Sequence, residues 1–152
     1  NKNYSIFSVY KKIINIKTQR GDIMATAVKN FTINKGLKNE FILTIKQNDS
    51  LLPMIIEYSD TFKLTMFNRD TEAIETVLDM DDTKSDGYIA IHNDANGQIK
   101  IVMNPSLTST LEKERGPKED RYYLKPTYRI AIECDTLNNG NFVAKLENVY
   151  VD

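Results

Sequence analysis

Few residues in this chain could do chemistry, and they are scattered. It has one histidine, His92, and one cysteine, Cys134. A Ser-His-Asp or Cys-His arrangement would need His92 beside a nucleophile, and neither a nucleophile elbow nor a catalytic cysteine motif is present. One His and one Cys cannot complete the usual four-ligand zinc site. Asp79, Asp81, Asp82 and Asp86-Gly87 form an acidic run that invites a calcium reading. Counted from Asp82, however, Lys84 falls at the third ligand position and Asn93 where the bidentate Glu belongs, so the run reads as a solvated acidic loop. Paired carboxylates for glycoside hydrolysis could come from distant strands. The chain has no Trp, so a sugar-stacking cleft would lack its usual platform. Lys35-Gly36 lacks the glycine pattern of a P-loop. The reading is of a protein that is not an enzyme and carries no cofactor or metal.

The elements that would position any site are strands. Tyr128, Ile130, Ile132 and Cys134 share one parity, and Thr127, Arg129, Ala131 and Glu133 the other. Side chains alternate faces along a strand, so this is a strand buried on one side. Cys134 then lies on the apolar face as an inert core thiol. The same rhythm marks strands at Val28–Ile33, Glu40–Lys46, Thr61–Phe67, Ile74–Met80, Tyr88–His92, Gln98–Met103 and Asn141–Val151. Leu51 to Ile56 is apolar but broken by Pro53, which has no ladder donor and belongs at an edge or crossing. Asn96-Gly97 signals a hairpin, and Asn34-Lys35-Gly36 a turn. Asn104-Pro105 reads as the cap and first residue of a short helix over Pro105–Lys113, ended by Gly116-Pro117. The pattern predicts an all-β, Ig-like antiparallel β-sandwich of about seven or eight strands with one short helical turn.

Composition narrows the partners. Hydrophobic residues make up 41% and charged residues 27% of 152 residues, enough for one domain with a core. A net charge of −1 gives no concentrated basic surface for nucleic acid. No apolar run approaches the roughly 20 residues of a membrane-spanning helix. The single cysteine points to assembly in a reducing compartment. Lys113, Arg115, Lys118 and Arg121 alternate with acidic residues in a long loop, which is the predicted partner contact because long loops carry contacts.

Residues 1–23 are rich in Lys, Asn and Ile and show no clean strand alternation. Arg20-Gly21-Asp22 can be spelled AGA-GGA-GAT, a purine-rich ribosome-binding sequence just upstream of Met24. Residues 1–23 are therefore read as an N-terminal extension of translated-leader type, and residues 24–152 as the sandwich domain. The competing reading is an amphipathic helical arm with Ile6, Phe7, Val9, Tyr10, Ile13 and Ile14 on one face. Arg20-Gly21-Asp22 as an adhesion tripeptide is a match that arises easily by chance.

The block Asn30-Phe31-Thr32-Ile33-Asn34-Lys35-Gly36 followed by Phe41-Ile42-Leu43-Thr44-Ile45 resembles the start of small β-sandwich domains in tailed-phage virion proteins. Those of T4-like marine phages and the N-terminal domains of phage baseplate upper proteins look alike in this respect. The later order is similar too: Gly87 to Ile91, Asn96 to Ile101, a helical turn at Ser106 to Leu111, Tyr128 to Glu133, and a closing Val149-Tyr150-Val151. This chain departs from that pattern in Leu37-Lys38, where an acidic residue is usual, and in the charged insertion Lys113 to Arg121. The resemblance implies a virion structural protein of the tail or baseplate, assembled in the host bacterial cytoplasm. Its partners would be other virion proteins and further copies of itself. A capsid decoration protein and a receptor- or carbohydrate-binding module of a tail fibre are the alternatives.

Overall fold

The computed structural model describes residues 4–14, 24–27, 31–113 and 126–152. Two five-stranded sheets face each other across one core. The first sheet runs β2 (Met24–Ala27), β1 (Tyr4–Ile14), β4 (Lys38–Gln47), β8 (Gln98–Met103), β7 (Gly87–Asn93). The second runs β3 (Phe31–Ile33), β10 (Gly140–Val151), β9 (Tyr128–Thr136), β5 (Thr61–Asn68), β6 (Ile74–Leu78). All neighbours pair antiparallel except β3 and β10, which are parallel. In immunoglobulin lettering, β1-β4-β8-β7 is the A-B-E-D sheet and β10-β9-β5-β6 the G-F-C-C′ sheet. The fold is thus an Ig-like sandwich.

The alternating strands bury the faces that their sequence indicates. Phe41, Leu43 and Ile45 of β4 pack inward, as do Phe62, Leu64 and Met66 of β5. Tyr128, Ile130, Ile132 and Cys134 of β9 complete that layer. Phe31 and Phe41 stack across the sheets with ring centroids 3.9 Å apart. Each fully buried aliphatic or aromatic side chain contributes roughly 1.5–3 kcal/mol of transfer free energy. The hydroxyl of Tyr128, at the start of β9, accepts the Glu112 backbone N–H at 2.8 Å.

The structure departs from the sequence reading in three places. Ten strands form among the described residues, not seven or eight, because β1 and β2 come from Tyr4–Ile14 and Met24–Ala27. Tyr4–Ile14, set outside the domain as an extension and alternatively as a helical arm, is an inner strand between β2 and β4. Its alternation is hidden by a register shift between Ile6 and Ser8. Tyr4 and Ile6 turn inward before the shift, and Val9 and Lys11 after it, so parity flips within one strand. The helix is shorter than predicted, covering Pro105–Thr108, and the Asn104 side chain makes no cap bond. Its amide donates instead to Ser85 O at 3.0 Å, and its backbone carbonyl accepts the first helical N–H groups. Of the predicted first strand, residues 28–30 lie outside the described residues and Phe31–Ile33 is β3.

At the lower end, buried Asn39 holds the turn after β3. Its Oδ1 accepts the Asn34 N–H, and its Nδ2 donates to the carbonyls of Asn34 and Leu37, all at 2.9 Å. Gly36 carries the positive φ of 78° that this turn requires. Thr108 of the short helix (α1, Pro105–Thr108) donates to Leu37 O at 2.7 Å and fastens the helix to the same turn.

Candidate interaction surface at the loop end

Three loops meet at the upper end of the sandwich: residues 48–60 between β4 and β5, 94–97 between β7 and β8, and 137–139 between β9 and β10. The longest folds back on β4. Pro53 bridges to Lys46, Met54 N–H donates to Ile45 O at 3.0 Å, and Gln47 N–H to Leu52 O at 2.9 Å. This return anchors Met54 and Ile56 in the core. It also holds Leu51 at φ 57°, a left-handed conformation that leucine rarely adopts. Ile56 N–H donates to Asp94 O at 3.0 Å, which ties the first loop to the second. Gly97 lies against Ile45 O and the Met54 backbone, where a Cβ would come within 2.5–2.9 Å of three backbone atoms.

Asp60 joins the first loop to the third. It is only 2% exposed, and its carboxylate accepts the Glu57 N–H and the Leu137 N–H, both at 2.9 Å. Asn138 Nδ2 donates to Glu57 Oε1 at 2.8 Å, and Tyr4 OH donates to Asn139 Oδ1 at 2.6 Å. Burial raises the Tyr4 phenol above its usual range, with Asp49 adding to the rise. Tyr4 also stacks on Phe142 with centroids 5.0 Å apart.

Several large apolar side chains of this end face solvent among polar ones. Leu51, Leu52, Ile55, Tyr58 and Leu137 are 51–100% exposed, with Tyr58 at the upper limit. The three loops contain no Lys or Arg, and Asp49, Glu57 and Asp94 stand among the apolar residues. Contiguous exposed apolar surface rimmed by polar groups marks an interaction site. Tyrosine suits such a place because it offers a large contact area at small entropic cost. From this end an open groove of about 710 Å³ runs between β7 and the Tyr58–Thr61 segment, with Met80 in its wall. Tyr88, His92, Asp82 and Asp94 line it.

The residues singled out from sequence are spread over the molecule. His92 is exposed on the groove wall. Cys134 is buried, and burial pushes its thiol up to about 12, which makes it a poor nucleophile. In the acidic loop, Asp79 pairs with Lys84 at 2.6 Å and accepts the Asp81 N–H at 3.0 Å. Asp81 in turn accepts the N–H and hydroxyl of Thr83. The Lys84 hydrogen bond holds the Asp79 carboxyl below its usual range, and the Thr83 bonds do the same for Asp81. Among the described residues no group of three or more His, Cys, Asp or Glu is placed to hold a metal ion. No helix among them is long and apolar enough to cross a membrane. Lys113 is exposed just beyond the helical turn, whereas Arg115, Lys118 and Arg121 lie outside the described residues. Sequence reading passed over the loop-end cluster. Its one signal was the apolar stretch Leu51–Ile56 around Pro53, of which Leu51, Leu52 and Ile55 point out rather than in.

No protein-family model and no curated protein sequence matches this chain.

Proposed function

We propose that the protein is a non-enzymatic structural component of a phage virion, built into the tail or baseplate and acting through protein–protein assembly. The observation that carries this reading is the loop end, whose hydrogen-bonded loops leave Leu51, Leu52, Ile55, Tyr58 and Leu137 exposed. The strand-and-turn resemblance to tailed-phage sandwich domains supports it. The acidic residues around the patch favour a partner whose apolar contact is rimmed by Lys or Arg. A contact of this kind typically buries about 800 Å² per partner.

Purified particles carrying an epitope-tagged copy test the proposal. Immunogold labelling at the tail or baseplate, at a fixed copy number, is the expected result. Ile55→Lys combined with Leu137→Lys should leave the fold intact and abolish incorporation. Label on the head would make this a capsid decoration protein instead. Absence from particles would overturn the assignment.

A second reading, a receptor- or carbohydrate-binding module, draws on the groove where Tyr58 and Tyr88 stand near Asp82 and Asp94. It predicts glycan-array binding by the isolated protein that is lost in Tyr58→Ala and retained in the Ile55→Lys, Leu137→Lys variant.

A further inference from the structure

The fold buries Lys11, with 7% of its surface exposed. The register shift in β1 accompanies a change of parity that turns it inward, toward β3 and the turn that follows it. Its Nζ donates to Thr32 O at 2.5 Å and contacts the Asn34 carboxamide oxygen. Asn34 is held from both sides, its N–H and carbonyl both bonded to the Asn39 side chain at 2.9 Å. Asp152 is fixed at the same corner: its N–H donates to Ile33 O at 2.8 Å, and its carbonyl accepts the Lys35 N–H at 2.9 Å. The Asp152 carboxylate acts electrostatically on the amine. A buried amine and a carboxamide in direct contact with it are thus brought together from β1 and the turn after β3, with Asp152 fixed by its backbone just beyond the last strand.

We propose that Lys11 and Asn34 join in an intramolecular isopeptide bond, the lysine Nζ replacing the side-chain nitrogen of the asparagine. The neutral amine attacks Cγ of Asn34 and forms the new C–N bond. The proton that Nζ must shed passes to the departing amide nitrogen. The old C–N bond breaks and ammonia leaves. Atoms and charge balance with no oxidant, activating nucleotide or other co-reactant. Burial favours the reactive form: desolvation lowers the Lys11 amine to about 8, against the pull of Asp152, so a minor but appreciable fraction is free base near neutral pH. Folding supplies the proximity that a bimolecular aminolysis of an amide would lack. The product would clasp β1 to the turn after β3 and close a covalent loop around residues 12–33. This site stands apart from the loop end and does not depend on the proposed virion role.

The test is the intact mass of the folded 152-residue chain, with tandem mass spectrometry of its tryptic digest. The expected mass is one ammonia below the sequence mass, with a branched peptide joining the segments that carry Lys11 and Asn34. Lys11→Arg and Asn34→Ala should each return to their full sequence masses. Folded wild-type protein at its full sequence mass would overturn the proposal. So would an ammonia loss that persists in Lys11→Arg, since that would be succinimide formation at an asparagine.

Discussion

Asp60 makes the most quantitative test of how the loop end is built. Its carboxylate is almost fully buried and takes one backbone N–H from its own loop and one from the neighbouring loop. A hydrogen bond to a charged group contributes about 1.5–3 kcal/mol, and a buried amide stripped of its acceptor loses its share of solvation as well. Asp60→Ala removes both acceptors at once. Partial hydration at a loop end recovers some of that loss, which leaves an expected destabilisation of about 3 kcal/mol. That is a large part of the roughly 5–15 kcal/mol that holds a domain folded. For a chain of this size it corresponds to a fall in Tm of roughly 6–12 °C. Asp60→Asn keeps one acceptor oxygen and should cost about half as much. Urea unfolding followed by far-ultraviolet circular dichroism gives the free energies, and amide exchange at Glu57 and Leu137 gives the local effect. A loss within about 0.5 kcal/mol of wild type, the spread of ordinary surface substitutions, together with unchanged exchange at both amides, would refute the claim that this carboxylate couples the loops.

Other outcomes follow from the same geometry. A chain starting at Met24 lacks the inner strand that supplies Tyr4 and Val9 to the core and covers the edge of β4. It should unfold at lower urea than the full chain and self-associate, as measured by sedimentation, because an uncovered strand edge invites pairing. Equal stability in the two chains would remove β1 from the folding unit. Gly97→Ala must place a Cβ against Ile45 O and Met54 backbone atoms at a φ of 65°. It should cost at least 1–2 kcal/mol by roughly the scale of strained turn positions, read as a shifted urea midpoint. Cys134, with its thiol raised to about 12, stays protonated through neutral and mildly alkaline pH in the native state. Unfolding returns it to an ordinary thiol near pH 8.5. A disulfide reagent at pH 8 should therefore label it only at the rate of opening, and fast labelling of native protein would contradict its burial.

Most of the sandwich was legible from residue types. The strands with one wet and one dry face, β4, β5 and β9, bury the parity that their sequence marks, because a period of two survives wherever register is unbroken. β1 was not legible, since its inward positions change parity at a bulge and no fixed period fits Tyr4, Ile6, Val9 and Lys11 together. β10 carries a similar shift between Leu146 and Val149 but kept its apolar close, Val149-Tyr150-Val151, and so was found. At the loop end, Leu51, Leu52, Met54, Ile55 and Ile56 look alike in sequence. Only Met54 and Ile56 reach the core, because the bridge at Pro53 decides which of them turn inward.

By itself the sequence determined the class of fold, the strand faces and the positions of the turns, because these depend on interactions between near neighbours along the chain. Tertiary structure alone decided which apolar residues stay in water, how Asp60 ties two loops together, and that Lys11, Asn34 and Asp152 share one corner. Those outcomes rest on contacts between residues far apart in sequence, set by strand order and by bulges, and local patterning carries no trace of them.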